Sequence, residues 1–130
     1  MNKDNLIHRQ VNPNFIQADN VSAQAFKVTS QTFKPTPKDY YKLSVYNGEK
    51  YTARESFEHF TNEGFRSAGV LSLAVSECET ESLSVHEDNI PFDGHSYLDF
   101  TGLSNSAVEK NSKKLKKYAL DRGWQHGPIK

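Results

Sequence analysis

Gly69–Cys78 reads GVLSLAVSEC, and its alternation decides the class of fold. In an extended chain successive side chains point to opposite faces, so Leu71, Leu73 and Val75 fall together on one side. Ser72, Ala74, Ser76 and Cys78 fall on the other, and all are small enough for a helix to approach closely. A segment that is apolar on one face and small on the other belongs to a sheet that carries helices. The spacing predicts a strand over 69–78 within such a sheet.

Working outward, four more segments read as strands. LIHRQV (6–11) alternates Ile7, Arg9 and Val11 against Leu6, His8 and Gln10. KLSVY (42–46) runs into the turn dipeptide Asn47-Gly48. SLSVH (82–86) and HSYLDFT (95–101) flank EDNIPFDG, a connection rich in Pro, Asp and Gly. Two helices are marked by their ends. TARESFEHFTNEG opens on Thr52 with Glu55 three residues later, the spacing of a capping box, and Gly64 can close it in the left-handed conformation. Ala53, Phe57 and Phe60 share its apolar face. SNSAVEKNSKKLKKYALDRG opens on Ser104 or Ser106, carries Val108, Leu115 and Ala119 on one stripe, and ends at Gly123. Strands and helices mix without strict alternation. The expectation is a single α+β domain over 1–130, with a compact core over 6–124 and short flexible termini. Its sheet is mixed but mainly antiparallel, with two principal helices packed on it. Leu71, Leu73, Val75, Leu98 and Phe100 are the expected core, in contact with Phe57, Phe60 and Leu115.

The chain has 130 residues, of which 35% are hydrophobic, enough for one modest core. Sixteen basic residues balance sixteen acidic ones, so no global field favours a nucleic acid or an anionic membrane. The single cysteine, Cys78, cannot form an internal disulfide, which suits a reducing compartment. The N-terminal MNKDNLIHRQ lacks the apolar core of a signal peptide, and no apolar run is long enough for a membrane span. A cytoplasmic protein is expected.

The stretch SAQAFKVTSQTFKP (22–35) doubles a QxFK motif at a seven-residue offset. One strand would place Phe26 and Phe33 on opposite faces, and Thr29, Ser30 and Thr32 disfavour one helix. Only the second copy continues, through Pro35 and Pro37, into a strand by an extended approach. Phe33 is therefore expected to be the more buried ring. Phe26 is expected on a loop or short helical turn, plugging the core edge.

Taken in order, HRQVNP, SQTFKPTPKD, LSV, GV, a later His and KKLKKYALDRGW resemble a widespread group of small uncharacterised bacterial proteins. The likeness spans residues 6 to 124. It falls on His8, Arg9, Ser30, Phe33, Lys38, Asp39, Leu43, Ser44, Val45, His95 and Trp124. The doubled motif leaves open whether Ser22 or Ser30 is the equivalent serine. The resemblance implies a bacterial or phage origin and a common pocket.

The polar candidates each admit a bland alternative. His8 and Arg9 point to opposite faces of a strand. An arginine fork suits phosphate or carboxylate, and a surface ion pair is the alternative. Lys38 and Asp39 follow two prolines and could rim a pocket or cap the next strand. His95, Tyr97 and Asp99 share a face that could move a proton, bind a polar ligand or simply meet solvent. Arg9, Ser30, Lys38 and His95 are expected to converge on one cleft suited to an anionic partner. Glu77, Glu79 and Glu81 alternate and would share a face if the strand continued. With Arg9 and Ser30, Glu79 gives an order similar to that of ADP-ribosyltransferases. That likeness implies NAD as substrate, held by Arg and Ser, with a Glu stabilising the ribosyl cation. Otherwise Glu79 marks an acidic strand end.

Other chemistries find little footing. There is no Gly-rich phosphate loop and no cysteine pair for zinc. Acidic neighbours and an apolar strand should raise the Cys78 pKa, which disfavours a thiolate nucleophile. His59 is read as a helix histidine without an i+4 ligand, and His86 with Glu87 and Asp88 as a polar turn. Lys110, Lys113, Lys114 and Lys117 form a stripe on the last helix. It could follow a nucleic-acid backbone, receive an acidic protein, or merely complement the helix dipole. Two functions stand at this point. One is a non-catalytic accessory or interaction protein without a cofactor, binding a protein partner in a phage-defence or toxin–immunity operon. The other is a small nucleotide-using enzyme with an ADP-ribosyltransferase-like site.

Overall fold

In the computed structural model, which describes residues 1–17 and 27–129, the two long helices begin where their caps are. The chain runs β1 (Leu6–Gln10), β2 (Ile16–Gln17), β3 (Lys27–Val28), β4 (Lys42–Asn47), α1 (Ala53–Asn62), β5 (Val70–Ala74), α2 (Val75–Thr80), β6 (Ser84–Glu87), β7 (His95–Asp99) and α3 (Asn105–Arg122). Short 3-10 turns occupy Pro13–Phe15, Ser30–Phe33 and Pro37–Asp39. At the head of α1 the Glu55 amide donates to the Thr52 hydroxyl at 3.1 Å, and the Thr52 amide donates to the Glu55 carboxylate at 2.9 Å. Two amides that the helix cannot satisfy itself are thereby satisfied. The Ser104 hydroxyl accepts from the Ala107 amide at 3.2 Å, and α3 ends at Gly123 with φ of 92°.

Five strands form one sheet in the order β5-β1-β4-β7-β6, antiparallel at every pair, and β2 and β3 form a separate two-stranded ribbon. The α+β class with its antiparallel sheet is as expected. On one face Ile7, Leu43, Val45, Leu71, Leu73 and Leu98 meet Val108, Leu115 and Ala119 of α3. Phe33 and Phe100 are fully buried in the same core. The Ser112 hydroxyl of α3 donates to the Phe33 carbonyl at 3.0 Å, which ties the 3-10 turn to the helix.

Two expectations are corrected. The strand predicted over 69–78 stops at Ala74, and Val75–Thr80 winds into α2. The helical turn is held at its start. The Ala74 amide donates to the Glu77 carboxylate at 2.8 Å, and the Val75 and Ser76 amides donate to the Asn5 and Lys3 carbonyls at 3.0 Å each. Val75 and Cys78 stay buried because the turn returns them to the same core. Secondly, Phe57 and Phe60 do not join that core. α1 lies on the opposite face of the sheet, where the Gln10 amide donates to the Ser56 hydroxyl at 3.0 Å. There Phe57 packs on His126 at 4.6 Å and Phe60 on Phe65 at 5.0 Å, both half-buried. Phe26 and Ser22 lie outside the described residues. The β5 edge is closed by a bridge between Val70 and His126, and at Gly69 a Cβ would meet the His126 carbonyl at 2.5 Å.

Candidate functional site

β1 pairs with β5 along five residues, from Leu6 to Gln10, but with β4 only at Ile7–Asn47 and His8–Tyr46. Beyond that point β4 continues with β7, and β1 and β4 part. Arg9 fills the gap. Its Nε donates to the Thr32 carbonyl at 2.8 Å and its Nη1 to the Ser44 carbonyl at 2.9 Å. One guanidinium thus replaces the ladder bonds that the parted strands lack, and it joins the Ser30–Phe33 turn to β4. Its remaining donors are not taken by the protein among the described residues. Burial pushes its pKa down to about 10, and the nearby Asp39 charge offsets part of that, so Arg9 stays cationic at neutral pH. None of the described carboxylates makes an ion pair with it.

The parted strands open a cleft of about 590 Å³ with Arg9 in its wall. This volume falls within the range of small-ligand sites. One side is built by the 31–39 segment through Gln31, Lys34, Pro35 and Asp39. The other is built by α1 and the 91–95 connection through His59, Phe60, Phe92 and His95. Extended Lys34 and Thr36, each preceding a proline, carry the first side between its 3-10 turns.

The second side is a cluster of rings. Phe92 stands 5.0 Å from Tyr46, 4.5 Å from His59 and 5.4 Å from His95, measured between ring centres. The Tyr46 hydroxyl lies 2.9 Å from His59 Nδ1, and burial pushes the phenol pKa up, so Tyr46 remains a donor rather than a phenolate. When the phenol donates to Nδ1, the imidazole proton sits on Nε2, 4.0 Å from Glu63 Oε1. Below this cluster His8 is buried. Its Nε2 donates to the Tyr51 carbonyl at 3.0 Å, so its Nδ1 accepts from the Ser72 hydroxyl at 2.7 Å. Burial holds its pKa below the usual imidazole value.

Of the four residues expected to converge, Arg9 and His95 line the cleft, and Ser30 and Lys38 do not. Ser30 opens the 3-10 turn, which contributes the Thr32 carbonyl instead of a serine hydroxyl. Lys38 is exposed, and its neighbour Asp39 faces the cleft, fixed by the Thr36 hydroxyl at 3.0 Å. His95 Nδ1 bonds Asp88 at 2.6 Å. Glu79 is exposed on α2 and away from the cleft wall. Glu77 pairs with Arg122 at 2.8 Å and Glu81 with Lys114 at 3.2 Å, both towards α3, whereas Glu79 is exposed, so the three glutamates do not share one face. Cys78 is buried, and desolvation with Glu77 and Glu79 nearby pushes its pKa up to about 12. On α3, Lys117 pairs with Asp121 at 3.3 Å, whereas Lys110 and Lys113 are exposed. No three His, Cys, Asp or Glu side chains among the described residues gather to hold a metal. No helix among them is long and apolar enough to cross a membrane.

No family model, curated protein or solved structure matches this chain.

Sequence reasoning missed Tyr46, His59 and Phe92. The available signal was Glu63 four residues after His59, which corrects the reading of His59 as lacking an i+4 partner and puts both side chains on one side of α1. Tyr46 was hidden by its position at the strand end, and Phe92 by a loop whose path no periodicity describes.

Proposed function

We propose that the chain is a non-catalytic binding module of a bacterial accessory protein, and that it captures an anionic group of its partner in the cleft between β1 and β4. The observation that carries this is Arg9: a partly buried guanidinium in a cleft wall, anchored through two carbonyls, with no carboxylate paired to it among the described residues. A cation removed from water costs free energy unless an opposite charge meets it, and a phosphate or carboxylate entering the cleft would do so. Lys42 and Arg66 add positive charge to the same lining.

The non-catalytic character is supported by how the polar groups are used. His8 is held neutral within the structure, Tyr46 is held as a phenol, and Cys78 is buried away from the cleft. The glutamate that the transferase order requires lies elsewhere, on exposed α2. The test is paired. Inorganic phosphate should bind saturably, more weakly as salt rises, and more weakly to Lys42→Glu and Arg66→Glu variants. NAD should remain intact on long incubation. Absence of phosphate binding would overturn the proposal, as would nicotinamide release that Glu79→Ala stops.

A further inference from the structure

We infer that the group taken by the cleft is a small anion with a single charged group joined to a planar ring, of the kind shared by a nucleoside monophosphate and an aromatic carboxylate. This rests on the anion-binding role proposed for Arg9 and adds what must surround the charge.

The ring comes from the second side of the cleft. Phe92 is fixed there by Tyr46, His59 and His95, each within 5.4 Å of its ring centre, so the aromatic wall is set before any ligand arrives. Phe60 and Phe65 are stacked at 5.0 Å with 26° between their planes, yet Phe65 remains 59% exposed. An aromatic side chain left open at a cleft mouth forgoes the burial that it would gain against another ring. A planar ligand in the cleft would supply that burial. His59 adds a polar edge, because Tyr46 occupies Nδ1 and leaves the Nε2 proton without a hydrogen-bond acceptor among the described residues.

The single charge follows from the other groups of the lining. Arg9 offers one fork. Lys34 is paired with Glu109, and the charges of Lys42 and Arg66 are matched in number by those of Asp39 and Glu63 in the same lining, so one cation is left over. Asp39 and Glu63 face the same space as carboxylates. One phosphate or carboxylate at Arg9 is matched, and a polyphosphate chain would meet those two acidic groups.

The experiment uses calorimetric titration of the full chain with matched pairs. AMP is compared with ribose 5-phosphate, and indole-3-carboxylate with acetate. ATP is compared with AMP. A ring should tighten binding by about tenfold or more within at least one pair, a step of about 1.4 kcal/mol. Phe65→Ala, at an exposed position, should remove that advantage, so that AMP binds no more tightly than ribose 5-phosphate and indole-3-carboxylate no more tightly than acetate. A gain in the first pair alone assigns the nucleotide, and a gain in the second alone assigns the aromatic carboxylate. Equal binding with and without the ring overturns the inference while the anion site stands. ATP binding more tightly than AMP overturns the single-charge part. If neither these compounds nor inorganic phosphate bind, the proposed function falls as well.

Discussion

Arg9 Nη1 donates to the Ser44 carbonyl at 2.9 Å, across the point where β1 and β4 stop pairing. The same guanidinium holds Thr32 through Nε, so one side chain both completes the sheet and shapes the cleft. Lysine at this position keeps a charge but has no fork to reach both carbonyls. Arg9→Lys should cost about 1.5–3 kcal/mol, the range for hydrogen bonds to charged groups. Urea denaturation followed by the fluorescence of Trp124, the sole tryptophan, measures it. A loss below about 0.5 kcal/mol, within the range of ordinary surface substitutions, would mean that the bridge contributes little.

Thr32 is fully buried, and its hydroxyl has no partner among the described residues, although its carbonyl serves Arg9. Thr32→Val keeps the shape and removes a desolvated polar atom. It should stabilise the protein by about 1 kcal/mol, at the low end of the cost of an unmet buried group. Destabilisation in the same urea experiment would show that the hydroxyl does have a partner.

The core and the α1 face separate by substitution. Leu73 and Phe33 are buried on the α3 side, so Leu73→Ala should cost about 2–5 kcal/mol and Phe33→Ala about 3–5 kcal/mol. Phe57, half-buried against His126, should cost clearly less than Phe33. Equal losses at Phe33 and Phe57 would contradict the placement of α1 and α3 on opposite faces.

His8 makes stability depend on pH. Its folded pKa lies below the unfolded value of about 6.5, so the unfolded chain binds the extra proton between those two values. The contribution is therefore full above about pH 6.5 and is lost as pH falls below it towards the folded pKa. Between about pH 8 and about pH 5 the wild type should lose more in Tm than His8→Gln does. Equal slopes would show that His8 is not held neutral.

The sequence was most informative where a local signal had a local cause. Thr52 with Glu55, Ser104 and Gly123 bounded the long helices because caps act within one turn. Alternation located the strands because burial on one face repeats every second residue. It overran at Val75–Cys78, where the same residues serve a strand or a short helix and the choice is made by backbone carbonyls from Lys3 and Asn5. Arg9 and His95 were legible as polar residues embedded in strands. The Ser30–Phe33 turn meets Arg9 through the Thr32 carbonyl and not through the Ser30 hydroxyl, and a carbonyl carries no residue-specific signal. The ring cluster of Tyr46, His59 and Phe92 depends on how α1 and a loop close over β4, which no local pattern encodes.

The most direct measurement follows the Arg9 Nε–H resonance by NMR while inorganic phosphate is added to the isotope-labelled protein. An anion seated at the guanidinium should shift that resonance saturably, together with the backbone amides of Thr32 and Ser44. The lysines of α3 should shift little, and linearly. A static Arg9 resonance with saturable shifts confined to Lys110 and Lys113 would contradict the account, because the anion site would then lie on the exposed helix and not in the cleft.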